Sequence, residues 1–225
     1  MRAVRRIGII VERGSRRRAW LAVGVVALLA CSREEPVAAP AAEPTEPPVH
    51  TQPVAVLRVR DMGEIHIALR PDLAPETVAN FEKLAGENFY EGITFHRVIP
   101  DFMIQTGDPL SKDRDPRNDG MGGPGYKIPD EKNGLHHRRG AVSMVNSGPN
   151  TSGSQFFILV GDAPHLDGKH TIFGRVISGM EVADAIAAAP RDQYGRHGPP
   201  DRPMPDVVIE SLTIEPAKSP SGGAP

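Results

Sequence analysis

The chain has 225 residues, enough for one ordinary domain with tails. Its 26 Lys and Arg stand against 28 Asp and Glu, but seven arginines and one glutamate fall in positions 1–30, so the remainder carries 19 basic and 27 acidic side chains, a formal charge of −8. An acidic body argues against nucleic acid as a partner, and with Cys31 the only cysteine there is no basis for a disulfide framework, a Cys-based metal site or a thiol nucleophile.

Taken in order, residues 1–30 form a basic start and a short apolar run, 19–30, that is short for a membrane span and ends in Leu28-Leu29-Ala30-Cys31. This segment resembles a bacterial lipoprotein signal peptide. The resemblance implies export, cleavage before Cys31 and lipidation of Cys31, with the protein held at the periplasmic face of the cell envelope; Ser32 resembles the residue that sorts such proteins to the outer membrane. A short anchor with an unmodified cysteine is the alternative. Residues 31–53 are Ala, Pro and Glu with almost no aliphatic bulk, which reads as a disordered tether of roughly 60 Å at about 3 Å per residue.

A folded domain is expected over 54–216, with a disordered tail over 217–225. Two alternating segments, 54–60 and 64–69, joined by Asp61-Met62-Gly63, predict a hairpin. Pro75 suits a first helical turn, and Val78, Phe81, Leu84 and Ala85 form one stripe. The stretch 93–108, ITFHRVIPDFMIQTGD, predicts strand, Pro bend, strand. Period two places Phe95 with Arg97 on one face and His96 with Val98 on the other, and after the bend unites Met103 with Gln105. Residues 107–139 read as a long irregular loop; Pro124 and Pro129 deny GMGGPGY the helix that a phosphate loop requires. His136 and His137 are expected to be solvated loop residues and His96 a satisfied structural histidine. Strands follow over 141–146, 155–160, 171–177 and 207–214, with a helix over about 180–189; Gln155 and Phe157 share a face. About eight strands and two helices without βαβ alternation predict a mainly β fold, a closed eight-stranded antiparallel barrel capped by two α-helices.

Three segments, FHRVIPDFMIQTGD, SMVNSGPNTSGSQFFI and HLDGKHTIFGRV, resemble the cyclophilin family of peptidyl-prolyl cis/trans isomerases. The resemblance implies that Arg97 is the catalytic arginine. It implies that Phe102, Met103, Phe157, Leu166 and His170 receive the proline ring, and that Gln105, Asn146 and Gln155 hold the peptide backbone. Val145 stands in the substrate site where many members have alanine, and His165 where some have tryptophan, a contact for cyclosporin. No cofactor and no metal is implied; the partners are proline-containing peptides and unfolded or exported proteins, bound by a monomer that reaches the membrane through its lipid. A proline-segment binding module of the same fold with little turnover is the alternative. A serine hydrolase using Ser152 or Ser154 with His170 lacks the G-x-S-x-G turn.

Overall fold

The computed structural model describes residues 51–113 and 115–217. The expected signal peptide, lipidated Cys31, the tether as far as residue 50 and the tail from 218 lie outside them. The described segment is anchored to the sheet before residue 54: Gln52 is buried, and the Leu69 N–H donates to Pro53 O at 2.9 Å.

Strands β1 (Val54–Val59) and β2 (Gly63–Leu69) form the expected hairpin, with Ala55, Leu57, Val59, Ile65, Ile67 and Leu69 all turned inward. Helix α1 (Pro75–Gly86) follows. Strands β3 (Arg97–Ile99), β4 (Met103–Thr106), β5 (Ala141–Met144), β6 (Phe156–Leu159) and β7 (Ile172–Ser178) precede helix α2 (Met180–Ala187). A two-residue ribbon, β8 (Arg191–Asp192) with β9 (Arg202–Pro203), interrupts the Pro-rich loop before β10 (Ile209–Glu215). The main sheet is antiparallel, in the order β10-β1-β2-β7-β5-β6-β4-β3.

The eight strands and two helices agree with the sequence expectation, but the sheet is a half-barrel rather than a fully laddered closed barrel. No ladder joins β3 to β10 among the described residues. The gap is spanned by residues 92–95: Gly92 N–H donates to Ile209 O at 2.9 Å, Ile209 N–H to Ile93 O at 2.8 Å and Phe95 N–H to Val207 O at 2.9 Å. The reason lies in the expected strand over 93–99, which is not continuous. Ile93, Phe95 and Val98 all enter the core, so the alternation slips by one residue between Phe95 and Val98. A one-residue slip sends every later side chain to the other face. Phe95 and Arg97 therefore do not share a face: Phe95 is core and Arg97 is turned outward.

Inside the half-barrel, Phe81 of α1 meets Tyr90, Phe156 and Phe173 with ring centroids 5.3, 5.4 and 5.0 Å apart. The stripe Val78, Phe81, Leu84 and Ala85 is buried as its spacing requires. Ala74 gives α1 no side-chain cap; the Glu131 carboxylate reaches in from the long loop instead, accepting from Glu76 N–H at 3.0 Å and from Thr77 N–H and Oγ1 at 2.8 and 2.6 Å. Gly179 precedes α2 with φ +86°, and a Cβ there would collide with Glu64 O, so this entry into the helix needs glycine.

Candidate active site

Strand register builds the site. Across the sheet Arg97 lies opposite Gln105, Gln105 opposite Phe157, and Phe157 opposite Ser143. Directly opposed residues stand about 4.5–5.5 Å apart at Cβ, so one row on the outer face carries guanidinium, carboxamide and aromatic ring side by side. A neighbouring row pairs Ile99 with Met103 and Met103 with Leu159. The turn at Pro100 and Asp101, with Asp101 at φ +60° and Phe102 N–H donating to Ile99 O at 3.2 Å, brings Phe102 over the same face.

These rows open into a groove of about 210 Å³. Phe102, Met103, Val145, Phe157 and Leu166 supply its apolar lining, and Arg97, Gln105, Asn146 and His170 its polar groups. Phe157 and His170 meet edge to face at 5.6 Å. His165, exposed, meets the Phe102 ring with centroids 5.7 Å apart. Nine of the ten substrate-site residues expected from sequence thus line one groove.

The polar groups differ in how much bonding capacity they retain. Arg58, Arg70, Arg117, Arg139, Arg191 and Arg202 each hold a carboxylate, whereas Arg97, half-buried, makes no ion pair among the described residues. Asn146 Nδ2 donates to Lys169 O at 2.9 Å, leaving Oδ1 as an acceptor. His170 Nδ1 lies 3.1 Å from Met144 O, which places its proton there, and burial pushes its pKa down.

Gln155, the tenth expected residue, does not line the groove. Its Oε1 accepts from Gln105 Nε2 at 3.0 Å while its own Nε2 donates to Gly120 O and Gly122 O, both at 2.9 Å. It orients Gln105 and ties the Gly-rich loop to the site. That loop wraps a carboxylate: Asp108, fully buried, accepts from the N–H groups of Gly120 and, at 3.2 Å, Gly122, and from Leu110 N–H at 2.8 Å. A Cβ on Gly122 would strike the Asp108 side chain. The donors that a phosphate would need are already engaged by this chain's own aspartate.

The structure corrects two histidine expectations. His96 is the buried structural residue expected, but it is not satisfied: neither ring nitrogen has a hydrogen-bond partner among the described residues, and burial pushes its pKa down to about 4, so it stays neutral. His137 is not a solvated loop residue; it is 1% exposed, and it shares the Asp167 carboxylate with His136. The two adjacent rings do not diverge as an extended segment would have them: they converge on Asp167, which offers a separate oxygen to each, with His136 exposed and His137 buried. The contacts of Asp108 with Gly120 and of Asp167 with His136 and His137 left no local signal in the sequence, since those partners lie 12 to 31 residues apart.

Known proteins agree with this architecture. Residues 54–214 match the family model described as cyclophilin type peptidyl-prolyl cis-trans isomerase/CLD. The chain is 44% identical over 166 residues to peptidyl-prolyl cis-trans isomerase-like 3 of Gallus gallus, covering 72% of this chain and 96% of that protein. It is 51% identical over 127 residues to peptidyl-prolyl cis-trans isomerase B of Bacillus subtilis, covering 56% and 84%. A crystal structure of a Cryptosporidium parvum cyclophilin type isomerase superposes with a TM-score of 0.64 at 31% identity, over 73% of this chain and 97% of that one. The same parasite protein, in a structure determined in the presence of the dipeptide Ala-Pro, gives 0.63 at 30% identity, over 72% and 98%. With an outward arginine beside an apolar groove on an eight-stranded half-barrel, and a family match over most of its length, this chain belongs to the cyclophilin-type peptidyl-prolyl cis-trans isomerases.

Proposed function

We propose that the groove receives a proline-containing segment of a polypeptide and that Arg97 lowers the barrier to rotation about the bond before the proline. The observation that carries this reading is the Arg97 guanidinium, without an ion-pair partner among the described residues, at the edge of an apolar groove of about 210 Å³. Rotation about an amide costs about 18–20 kcal/mol because the nitrogen lone pair is shared with the carbonyl. The two X-Pro isomers differ by only about 0.5–1 kcal/mol, so catalysis must act on the barrier. In the twisted state the proline nitrogen regains its lone pair and becomes an acceptor. A donor aimed at it favours that state over both planar ones, which is differential binding of the transition state. Arginine suits the task because it stays protonated and holds its donors in a rigid fork.

The proline ring packs among Phe102, Met103, Phe157 and Leu166, while Gln105 and Asn146 retain capacity to hold the backbone on either side of the rotating bond. No covalent bond is made or broken. The Arg97→Ala variant in a proline-peptide isomerisation assay tests the reading. A fall in kcat/KM of about 10² or more is expected for a donor removed from the transition state; unchanged turnover would sink it.

The client reading extends this. The apolar run 19–30 ending at Cys31 and the Pro-rich stretch behind it support an exported, lipid-tethered protein acting on envelope or exported proteins during folding. Cells grown with labelled fatty acid are expected to label the protein and not its Cys31→Ser variant; absence of label from the unsubstituted protein, or equal label in both, would exclude lipidation of Cys31.

A further inference from the structure

Outside the groove lining, one constellation is chemically loaded and unused: Asp167, His137 and Ser143 in a row. Asp167 Oδ1 accepts from the His137 backbone N–H at 2.8 Å and faces ring Nδ1 at 2.9 Å. Ring Nε2 faces Ser143 Oγ at 3.1 Å, and Ser143 Oγ stands 3.0 Å from Thr171 O. Asp167 Oδ2 also faces His136 Nδ1 at 2.7 Å. Acid, base and hydroxyl at these distances match the relay of a serine hydrolase. Access rules that out, because His137 is 1% exposed and Ser143 is fully buried. A relay that no substrate can reach can still hold its neighbours in place.

What it holds is one wall of the groove. The His137 ring stacks on Phe157 at 6.2 Å and 20°, and meets His170 edge-on at 6.3 Å and 79°. The parts come from separate segments: His137 from the chain entering β5, Ser143 from β5, Phe157 from β6, and Asp167 from the end of the turn Pro164–Leu166 that carries Leu166. The protonation states fit a fixed ring. Burial pushes the Asp167 pKa up, but the hydrogen bonds from His137 and His136 outweigh it and bring it to about 2, so it is an acceptor only. Burial pushes His137 down despite Asp167, so the ring is neutral at neutral pH with its proton on Nδ1 toward Asp167, while the Ser143 hydroxyl beside Nε2 donates to Thr171 O.

We propose that His137 is a positioning residue of the isomerase site: clamped by Asp167, it sets the angle of Phe157 and His170, against which the proline ring packs. It touches no reacting atom, and its catalytic meaning rests on the groove being the proline site. The test uses the full chain with Asp167→Asn, a change at a partly exposed residue, and His137→Phe, which keeps a stacking ring but loses the clamp. Turnover is measured beside the methyl NMR signals of Met103, which lines the groove, and of Met62 and Met180, which pack on the other apolar cluster. Expected in both variants are a loss of kcat/KM of about tenfold, as for a slightly misplaced binding wall, and a shifted Met103 methyl signal with Met62 and Met180 unmoved. Unchanged Met103 signals and turnover would overturn the proposal, as would all three methyls moving together with a lowered Tm, the mark of general loosening. Absence of turnover in the unsubstituted protein would overturn the assignment of the groove, and the catalytic meaning of the clamp with it, while the Met103 signal would still decide whether the clamp exists.

Discussion

Strands β4, β5 and β6 have two faces with different fates. On the inner face Ile104, Val142, Met144, Phe156 and Ile158 are each fully buried and belong to the large core that α1 and α2 close. On the outer face Met103, Ala141, Phe157 and Leu159 belong to a second, smaller cluster, bordered by the partly buried Ile99, Phe102, Val145 and Leu166. Loops cover that outer cluster incompletely, and the uncovered part is the groove. One backbone thus builds a closed core on one side and an open groove on the other, separated only by the alternation of the strand.

The sharpest way to test that division is to damage each side and ask whether the other notices. Phe81→Ala, on the inner side, is expected to cost about 3–5 kcal/mol in urea unfolding, because the ring contacts three other aromatics in a closed interior. Turnover per folded molecule should stay near normal well below the new Tm; a matching loss of turnover would break the division.

Acid should act next most strongly. With the folded pKa of His96 pushed down to about 4 against about 6.5 in the unfolded chain, the unfolded state binds the extra proton first. The stability associated with the neutral ring is complete above about pH 6.5 and is lost as the pH falls from there to about 4, a total on the order of 3 kcal/mol. His137 and His170 are pushed the same way and add to the loss. Urea midpoints collected across this range should fall less steeply in His96→Asn than in the unsubstituted protein; equal slopes would remove His96 from the account.

Arg97→Ala belongs to the outer side alone. Its expected loss of about 10² in rate corresponds to about 2.7 kcal/mol of transition-state stabilisation, with the urea midpoint nearly unchanged, since no ion pair to Arg97 exists among the described residues. The smallest effect is expected from Glu131→Gln, which weakens the cap on α1 by about 1 kcal/mol. It should lower Tm slightly and leave kcat/KM alone. A larger loss of turnover than of stability would show that the long loop serves the groove as well as the helix.

Much of this could be read locally. The stripe Val78, Phe81, Leu84 follows from helical spacing, and Met103 with Gln105 follows from strand alternation; both hold in the fold. Arg97 was legible as an unusual residue, but not its direction, because the slip after Phe95 depends on how residues 92–95 meet 207–209, more than a hundred positions away. The same holds for Gln155, which shares a strand alternation with Phe157 but spends its amide on Gly120 and Gly122. Periodicity reports which way a side chain leaves a regular strand. It carries no information on which distant carbonyl or carboxylate will be waiting there.

The Asp108 carboxylate, bonded at once to Leu110 just after it and to Gly120 and Gly122 at the far end of the excursion, closes that stretch upon itself. In architectural terms it forms the neck of an Ω-shaped loop whose two feet stand together. Lengthening the outer part of such a loop costs only about 0.6 kcal/mol per doubling in closure entropy. The rim that Gln155 grips is insulated from the loop's outer arc, so insertions or substitutions in that arc are expected to leave the groove in place.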